Sequence, residues 1–379
     1  MAHPRIEALL AHGQSVWQDD ITRGMLTSGQ LEHTIAEIGI RGLTSNPTIF
    51  EKAIAGGNHY DDQIISLLEH GKSPLEIFEA LAVDDIRNAC DLFRGVYDEA
   101  EGHDGFCSIE VSPDAARDAE STRQQVRRLW DSVDRPNLMV KIPGTSEGAL
   151  VVEEMLAEGK NVNITLLFSI ASYERVALAY ISALEKRHAA GQPIDRIASV
   201  ASFFVSRVDT LVDKLLDEKI ATAAAAERAK LESLKGTIAI ANAQLAYAKF
   251  QEIFESERFA RLRAAGARPQ RPLWASTGTK NPAYPDTLYI DTLIGPDTVN
   301  TMPGKTLEAF LDHGTVKRTV DADLDLARQR MADLAAAGTD IDAVTAQLEK
   351  EGIESFVKSF ESLLAGVAAK KEALAAATA

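Results

Sequence analysis

At 379 residues, 45% hydrophobic and 25% charged, the chain has the composition of a folded globular protein and is neither disordered nor collagen-like. Its 40 basic against 56 acidic residues give a formal net charge of −16, which repels a nucleic-acid backbone but leaves room for a small anionic ligand beside a few clustered cations. No apolar run reaches the roughly 18 residues of a membrane span, and the opening stretch MAHPRIEALLAHG lacks the apolar core of a secretory signal.

Short apolar or β-branched runs predict eight strands, at 15–20, 42–47, 106–111, 138–143, 161–169, 197–206, 272–278 and, weakly, 300–306. Most are continuously apolar, as suits strands covered on both faces in a parallel sheet. Segments of helical periodicity separate them, so the order predicts a (β/α)₈ barrel. The long gaps from Thr44 to Glu110 and from Ser202 to Ser276 require extra helices. Helices are also expected over 324–379, where Ile353, Phe356, Val357, Phe360, Leu363 and Leu364 form one apolar stripe that docks on the barrel. With no Pro/Ser-rich linker, one elaborated domain over 1–379 is expected, its core strands within 15–306.

Polar residues embedded in these runs are the candidates for chemistry. Lys141 sits inside Leu-Met-Val-Lys-Ile-Pro, Asp19 follows Val16-Trp17, and Glu110 follows Ile109. An unpaired buried charge is costly, and desolvation favours the neutral amine that attack on a ketone needs. The alternative is a buried ion pair of Lys141 with Glu110 or Asp19. Pro143-Gly144 after Lys141 marks a strand end, the place where barrel side chains face an active site. Asn163 and Thr165 alternate, so both face one side, while Asn161 shares their parity and reads equally as a strand cap. Asn46 in Ser45-Asn46-Pro47 reads either as a turn residue or as a lumen group. Ser202 and Arg207 flank a strand-to-helix turn that suits a phosphate, or Arg207 joins an Arg–Asp surface pair. Ser276 and Lys280 lie in a Gly-containing loop that offers a second cation. Neither a metal-ligand spacing nor a dinucleotide or Walker fingerprint occurs, so no cofactor and no metal are expected. Two cysteines, Cys90 and Cys107, cannot build a disulfide framework, so a reducing cytoplasm is the expected location.

Four motifs, Gly-Leu-Thr-Ser-Asn-Pro-Thr-Ile-Phe (42–50), Ser-Ile-Glu-Val-Ser (108–112), Val-Lys-Ile-Pro-Gly-Thr (140–145) and Asn-Val-Asn-Ile-Thr-Leu-Leu-Phe-Ser (161–169), resemble those of the transaldolase family. The resemblance runs from about Ser15 to about Thr306 and implies a (β/α)₈ barrel without cofactor, acting in the pentose phosphate pathway. It further implies a dihydroxyacetone unit carried from sedoheptulose 7-phosphate or fructose 6-phosphate to glyceraldehyde 3-phosphate or erythrose 4-phosphate. On the matching positions, Lys141 corresponds to the Schiff-base lysine and Asp19 to the acid that handles the hydroxyl proton beside the cleaved bond, with Asp20 its rival. Glu110 corresponds to the acid that works with Thr165 through a water. Thr44, Asn46 and Asn163 correspond to the dihydroxyacetone site, and Ser202 and Arg207 to the phosphate site. Many relatives carry a short Ala-Ser-x-Arg loop for a second phosphate cation. Here the loop reads Ala275-Ser276-Thr277-Gly278-Thr279-Lys280, and Lys280 is the candidate replacement. A related aldolase that releases free dihydroxyacetone is the second enzymatic reading, disfavoured by its shorter chains, and a non-catalytic sugar-phosphate binder is the third. Partners are then small sugar phosphates and neither nucleic acid nor membrane, with a homodimer left open.

Overall fold

The computed structural model describes residues 2–378, so Ala379, the end of the expected C-terminal helix, lies outside the described residues. Eight parallel strands close into a barrel in sequence order, β1 (Gln14–Gln18), β2 (Gly42–Leu43), β3 (Cys107–Glu110), β4 (Leu138–Pro143), β5 (Val162–Leu167), β6 (Ser199–Phe204), β7 (Arg271–Ala275) and β8 (Thr298–Met302). The barrel and its helical coat are the (β/α)₈ architecture the sequence predicts. All eight strand positions agree, and the differences lie at the ends. β2 is only two residues long because Asn46 and Pro47 already start the helix Pro47–Ala55. β7 stops at Ala275 because Ser276 turns into the left-handed region at φ 56°. β8 begins earlier than expected, since Thr298 pairs with Gln14 of β1 and Pro303-Gly304 opens the next helix.

The extra helices fall in the two long gaps. Pro47–Ala55, Asp61–Glu69, Pro74–Leu92 and Arg94–Glu99 separate β2 from β3. Ser206–Ile220, Ala225–Leu234, Ile238–Phe254 and Glu257–Ala264 separate β6 from β7. Among the described residues no helix is long and apolar enough to cross a membrane.

Two apolar cores result. The larger lies between strands and helices, while Trp17, Phe106, Met139, Val200, Leu273, Ala275 and Val299 fill the barrel itself with Tyr97. Because side chains alternate along a strand, the residue two beyond a strand member of this group also points inward. Met139 therefore places Lys141 in the lumen, Val200 places Ser202, Val299 places Thr301, and Trp17 places Asp19. At the opposite, N-terminal end a buried polar cluster plugs the barrel. Arg271 donates to Ser15 Oγ at 2.8 Å and pairs with Asp104 at 3.4 Å. Asp104 also accepts from Ser15 Oγ, and from Trp17 Nε1 at 2.8 Å.

The helix Ile341–Thr378 crosses back over the outer helices. Ile353, Phe356, Leu363 and Val367 are buried, and Phe360 packs edge-on against Phe78, which packs likewise on Phe50. Polar ties fasten the same face. Thr48 Oγ1 donates to Ser359 Oγ at 3.0 Å, and Lys370 pairs with Asp61 at 2.8 Å while donating to Ile54 O at 3.0 Å. The expected stripe docks as predicted, with Val357 and Leu364 at its half-buried margin.

Candidate active site

The C-terminal ends of the strands open into a cavity of about 630 Å³. Its charged lining residues are Asp19, Asp20, Lys52, Glu110, Lys141, Arg207 and Lys280, so cations outnumber carboxylates locally although the chain as a whole is strongly acidic.

Lys141 is fixed by its surroundings in sequence. β4 ends at Pro143, Gly144 N donates to Thr165 O of β5 at 2.7 Å, and Thr145 caps the next helix by accepting from Gly148 N at 3.0 Å. This leaves Lys141 one turn of the pleat below the strand end, 7% exposed. Its Nζ donates to Ser45 O at 3.1 Å and lies 3.4 Å from Glu110 Oε2, the register partner on β3. The ion pair that the sequence leaves as an alternative is thus present, and long.

Asp19 sits just past β1, still held to the sheet by its N–H on Met302 O at 2.9 Å. Thr44 Oγ1 donates to Asp19 Oδ1 at 2.7 Å, and Thr301 Oγ1, also 2.7 Å away, donates in turn to Thr44. Burial pushes both the Asp19 and the Glu110 carboxyls above the ordinary carboxylate range, against the downward pull of the Lys141 charge on each. Burial and the charge of Asp19 also raise Asp20, whose cationic neighbour is Lys52 and not Lys141. Of the two adjacent acids, Asp19 is the one electrostatically coupled to Lys141.

Asn46 fills both of its sequence roles. Its Oδ1 caps the helix Pro47–Ala55 by accepting from Ile49 N at 3.1 Å, and the residue lines the cavity. Thr165 lines it too, and its hydroxyl has no hydrogen-bond partner among the described residues. The next residue, Leu166, has φ 60°, where β5 and β6 slip register between Ile164 and Leu167. Such a bulge re-aims side chains at a barrel rim. Asn163 faces the lumen, as its alternation with Thr165 predicts. It is fully buried and off the cavity wall, because Ser202 Oγ donates to its Oδ1 at 2.7 Å and its Nδ2 donates to Ser108 Oγ at 3.0 Å. Both ends of its amide are committed to the lumen, so it braces Ser202. Asn161 also takes the structural role, donating to Leu138 O at 3.3 Å and accepting from Ala198 N at 2.9 Å.

Arg207 opens the helix Ser206–Ile220 and stacks over Phe204 with its guanidinium 5.2 Å from the ring. It forms no ion pair among the described residues, and nearby Asp209 is occupied elsewhere by Ala239 N at 2.7 Å and Tyr289. The Arg–Asp surface pair is therefore absent. Ser276 and Ser206 hydroxyls lie 3.0 Å apart beside it, and exposed Lys280 completes that side of the mouth. Sequence reasoning missed several lining groups. Thr301 was legible from its alternation with Val299. Lys52 resembles any solvated helical lysine. Ser355, Phe356 and Ser359 come from the C-terminal helix, remote in sequence from β5, the strand that helix lies on. At Gly352 that helix lies directly on the β5 bulge, where a Cβ would stand 3.2 Å from Leu166 Cδ2.

Comparison with known proteins agrees with this geometry. The family model described as Transaldolase/Fructose-6-phosphate aldolase matches residues 16–367. The chain belongs to that family. A protein of Trichodesmium erythraeum named Transaldolase is 50% identical over 355 residues, covering 93% of each chain. Relatives of the same name from Thermobifida fusca and Mycolicibacterium smegmatis are 49% and 47% identical, each covering 96% of this chain. Likeness of this extent to transaldolases makes the chain an enzyme of the transaldolase family, with the barrel these residues build.

Proposed function

We propose that the enzyme transfers a dihydroxyacetone unit from a ketose phosphate to an aldose phosphate through an imine on Lys141. The observation that carries this reading is the placement of one buried amine 3.4 Å from Glu110 and in the field of Asp19, within a cavity whose far side holds the unpaired Arg207.

Each group then has a role set by its place. The Lys141 amine attacks the C2 carbonyl of fructose 6-phosphate or sedoheptulose 7-phosphate. Glu110, with a water held at the free Thr165 hydroxyl, moves the protons that turn the carbinolamine into an iminium and expel water. Asp19 takes the C4 hydroxyl proton, the C3–C4 bond breaks, and its electron pair flows into the iminium to give an enamine. The aldose phosphate leaves. An incoming glyceraldehyde 3-phosphate or erythrose 4-phosphate accepts the enamine carbon at its carbonyl, and Asp19 returns the proton. Water then releases the new ketose phosphate from Lys141. The Thr301–Thr44–Asp19 chain aims the carboxylate, Asn46 and Ser202 face the sugar, and Arg207 with Lys280 and the Ser276 hydroxyl holds the phosphate. The substrates are the partners this reading requires. The reducing cytoplasm expected from cysteine usage is where such sugar phosphates would be met.

Borohydride reduction in the presence of fructose 6-phosphate tests the reading. A three-carbon adduct on Lys141 alone is expected. An unmodified chain, or an adduct on another lysine, refutes it.

A further inference from the structure

The two cations of the phosphate side sit on separate pieces of chain, Arg207 on the helix Ser206–Ile220 and Lys280 on the loop that follows β7. Outside the cavity, two struts join these pieces. Asp213 Oδ2 accepts from the Tyr284 hydroxyl at 2.5 Å, and its Oδ1 accepts from Gly236 N at 3.1 Å. One helical turn earlier, Asp209 Oδ2 accepts from the Tyr289 hydroxyl at 2.9 Å. The aspartates are four residues apart and so share a helix face. The hydroxyl end of the Tyr284 ring lies close against Gly236, where φ is 70° and a Cβ would stand 2.8 Å from Tyr284 Cζ. Tyr284 is four residues beyond Lys280, and Asp213 lies less than two helical turns beyond Arg207. Asp213 and Lys280 also border one outer groove, so a freed Asp213 carboxylate would compete for the Lys280 ammonium.

We propose that Tyr284, through its bond to Asp213, is a positioning residue that sets how far Lys280 stands from Arg207 and so tunes the affinity for the phosphate group of the sugar. This rests on the reading that Arg207 and Lys280 hold that phosphate. An exposed lysine loses side-chain freedom when it is fixed, and a pinned loop keeps the backbone from adding to that loss. Tyr284 itself does not line the cavity.

The test is Tyr284→Phe, read by the KM for fructose 6-phosphate and by the inhibition constant of inorganic phosphate. Both constants are expected to rise by one common factor, roughly tenfold for a lost hydrogen bond to a charged group, with kcat within twofold. A fall in kcat without a rise in either constant overturns the proposal, as does a rise in KM alone, since a merely structural loop would not couple the two. Arg207→Ala separates the layers. If it raises both constants while Tyr284→Phe raises neither, the strut fails and the phosphate reading stands. If Arg207→Ala raises neither, the phosphate reading fails and the strut with it. Should Tyr284→Phe not fold, Asp213→Asn, judged by the same two constants, decides in its place.

Discussion

Glu110 Oε2 stands 3.4 Å from Lys141 Nζ across adjacent, in-register strands, both side chains 8% exposed. The contact is longer than the ~2.7–2.9 Å of a tight charge-assisted hydrogen bond, so the carboxyl is near enough to exchange protons without locking the amine. Glu110→Gln is expected to lower kcat by roughly 10²–10⁴-fold, the usual worth of a placed acid–base group. The step affected is imine formation and hydrolysis, so the rate of borohydride trapping should fall in parallel with turnover. Normal trapping beside slow turnover would remove Glu110 from that step.

Asp19→Asn should separate imine formation from cleavage. The variant is expected to trap the intact six-carbon ketose phosphate on Lys141, because the C4 hydroxyl proton has no acceptor. Asp20→Asn, which lacks the coupling to Lys141, should still trap the three-carbon unit and keep kcat within a few-fold. Mass spectrometry of the two adducts decides, and reversed masses would exchange the roles of the two acids.

The raised carboxyl of Asp19 also has a stability sign. In the unfolded chain an aspartate titrates near 3.9, whereas burial holds the folded Asp19 above that value. Between the two values the folded protein binds more protons than the unfolded one, so stability falls as pH rises through the window. Asp19→Asn removes that cost and keeps an acceptor for Thr44. Its melting temperature should match the parent below about pH 4 and exceed it at pH 8. A pH-independent difference would show that Asp19 is not the group responsible.

Phe356 brings an apolar wall from the C-terminal helix to the cavity mouth. Phe356→Ala should admit water to the enamine and raise the release of free dihydroxyacetone in the absence of acceptor several-fold. It should also cost about 3 kcal/mol of stability, as large-to-small changes at buried phenylalanines do. Dihydroxyacetone measured enzymatically without acceptor is the readout, and an unchanged rate would make the wall structural only.

Breaking the plug at the other end should do the reverse. Arg271→Ala leaves Asp104 buried with Ser15 and Trp17 but without its closest cation, since Arg41 stands 3.8 Å away. The loss of one partner of a buried pair costs about 3–5 kcal/mol. Denaturant melts should report that loss while kcat of the folded fraction stays at the parent value.

The barrel and the reactive centre were legible because they rest on local alternation. Val140-Lys141-Ile142 and Ile109-Glu110 break an apolar run with a charge, and a charge kept inside a strand has few uses. Strand ends were less legible, since nothing in Gly42–Pro47 says that Asn46 belongs to the helix cap and not to the sheet. The contacts of Asn163 were less legible, because parity states which face a side chain occupies and not what it binds there. Ser202 and Ser108 take up its amide, and both come from other strands. The wall residues Ser355, Phe356 and Ser359 look like any amphipathic helix. Which surface such a helix covers is decided by packing alone, and here by partners such as Thr48, Phe78 and Asp61.

Asp104 lies just before β3, Ser15 lies on β1 and Arg271 on β7, so the three meet only once the ring of strands is complete. A half-formed barrel holding the first four strands would leave the Asp104 carboxylate with Ser15, Trp17 and the more distant Arg41, but without Arg271, its nearest counter-charge. The plug is therefore complete only when β7 joins the circle, and closing the ring and burying Asp104 favour one another. An attempt to cut this barrel into two self-sufficient fragments would first have to replace that aspartate.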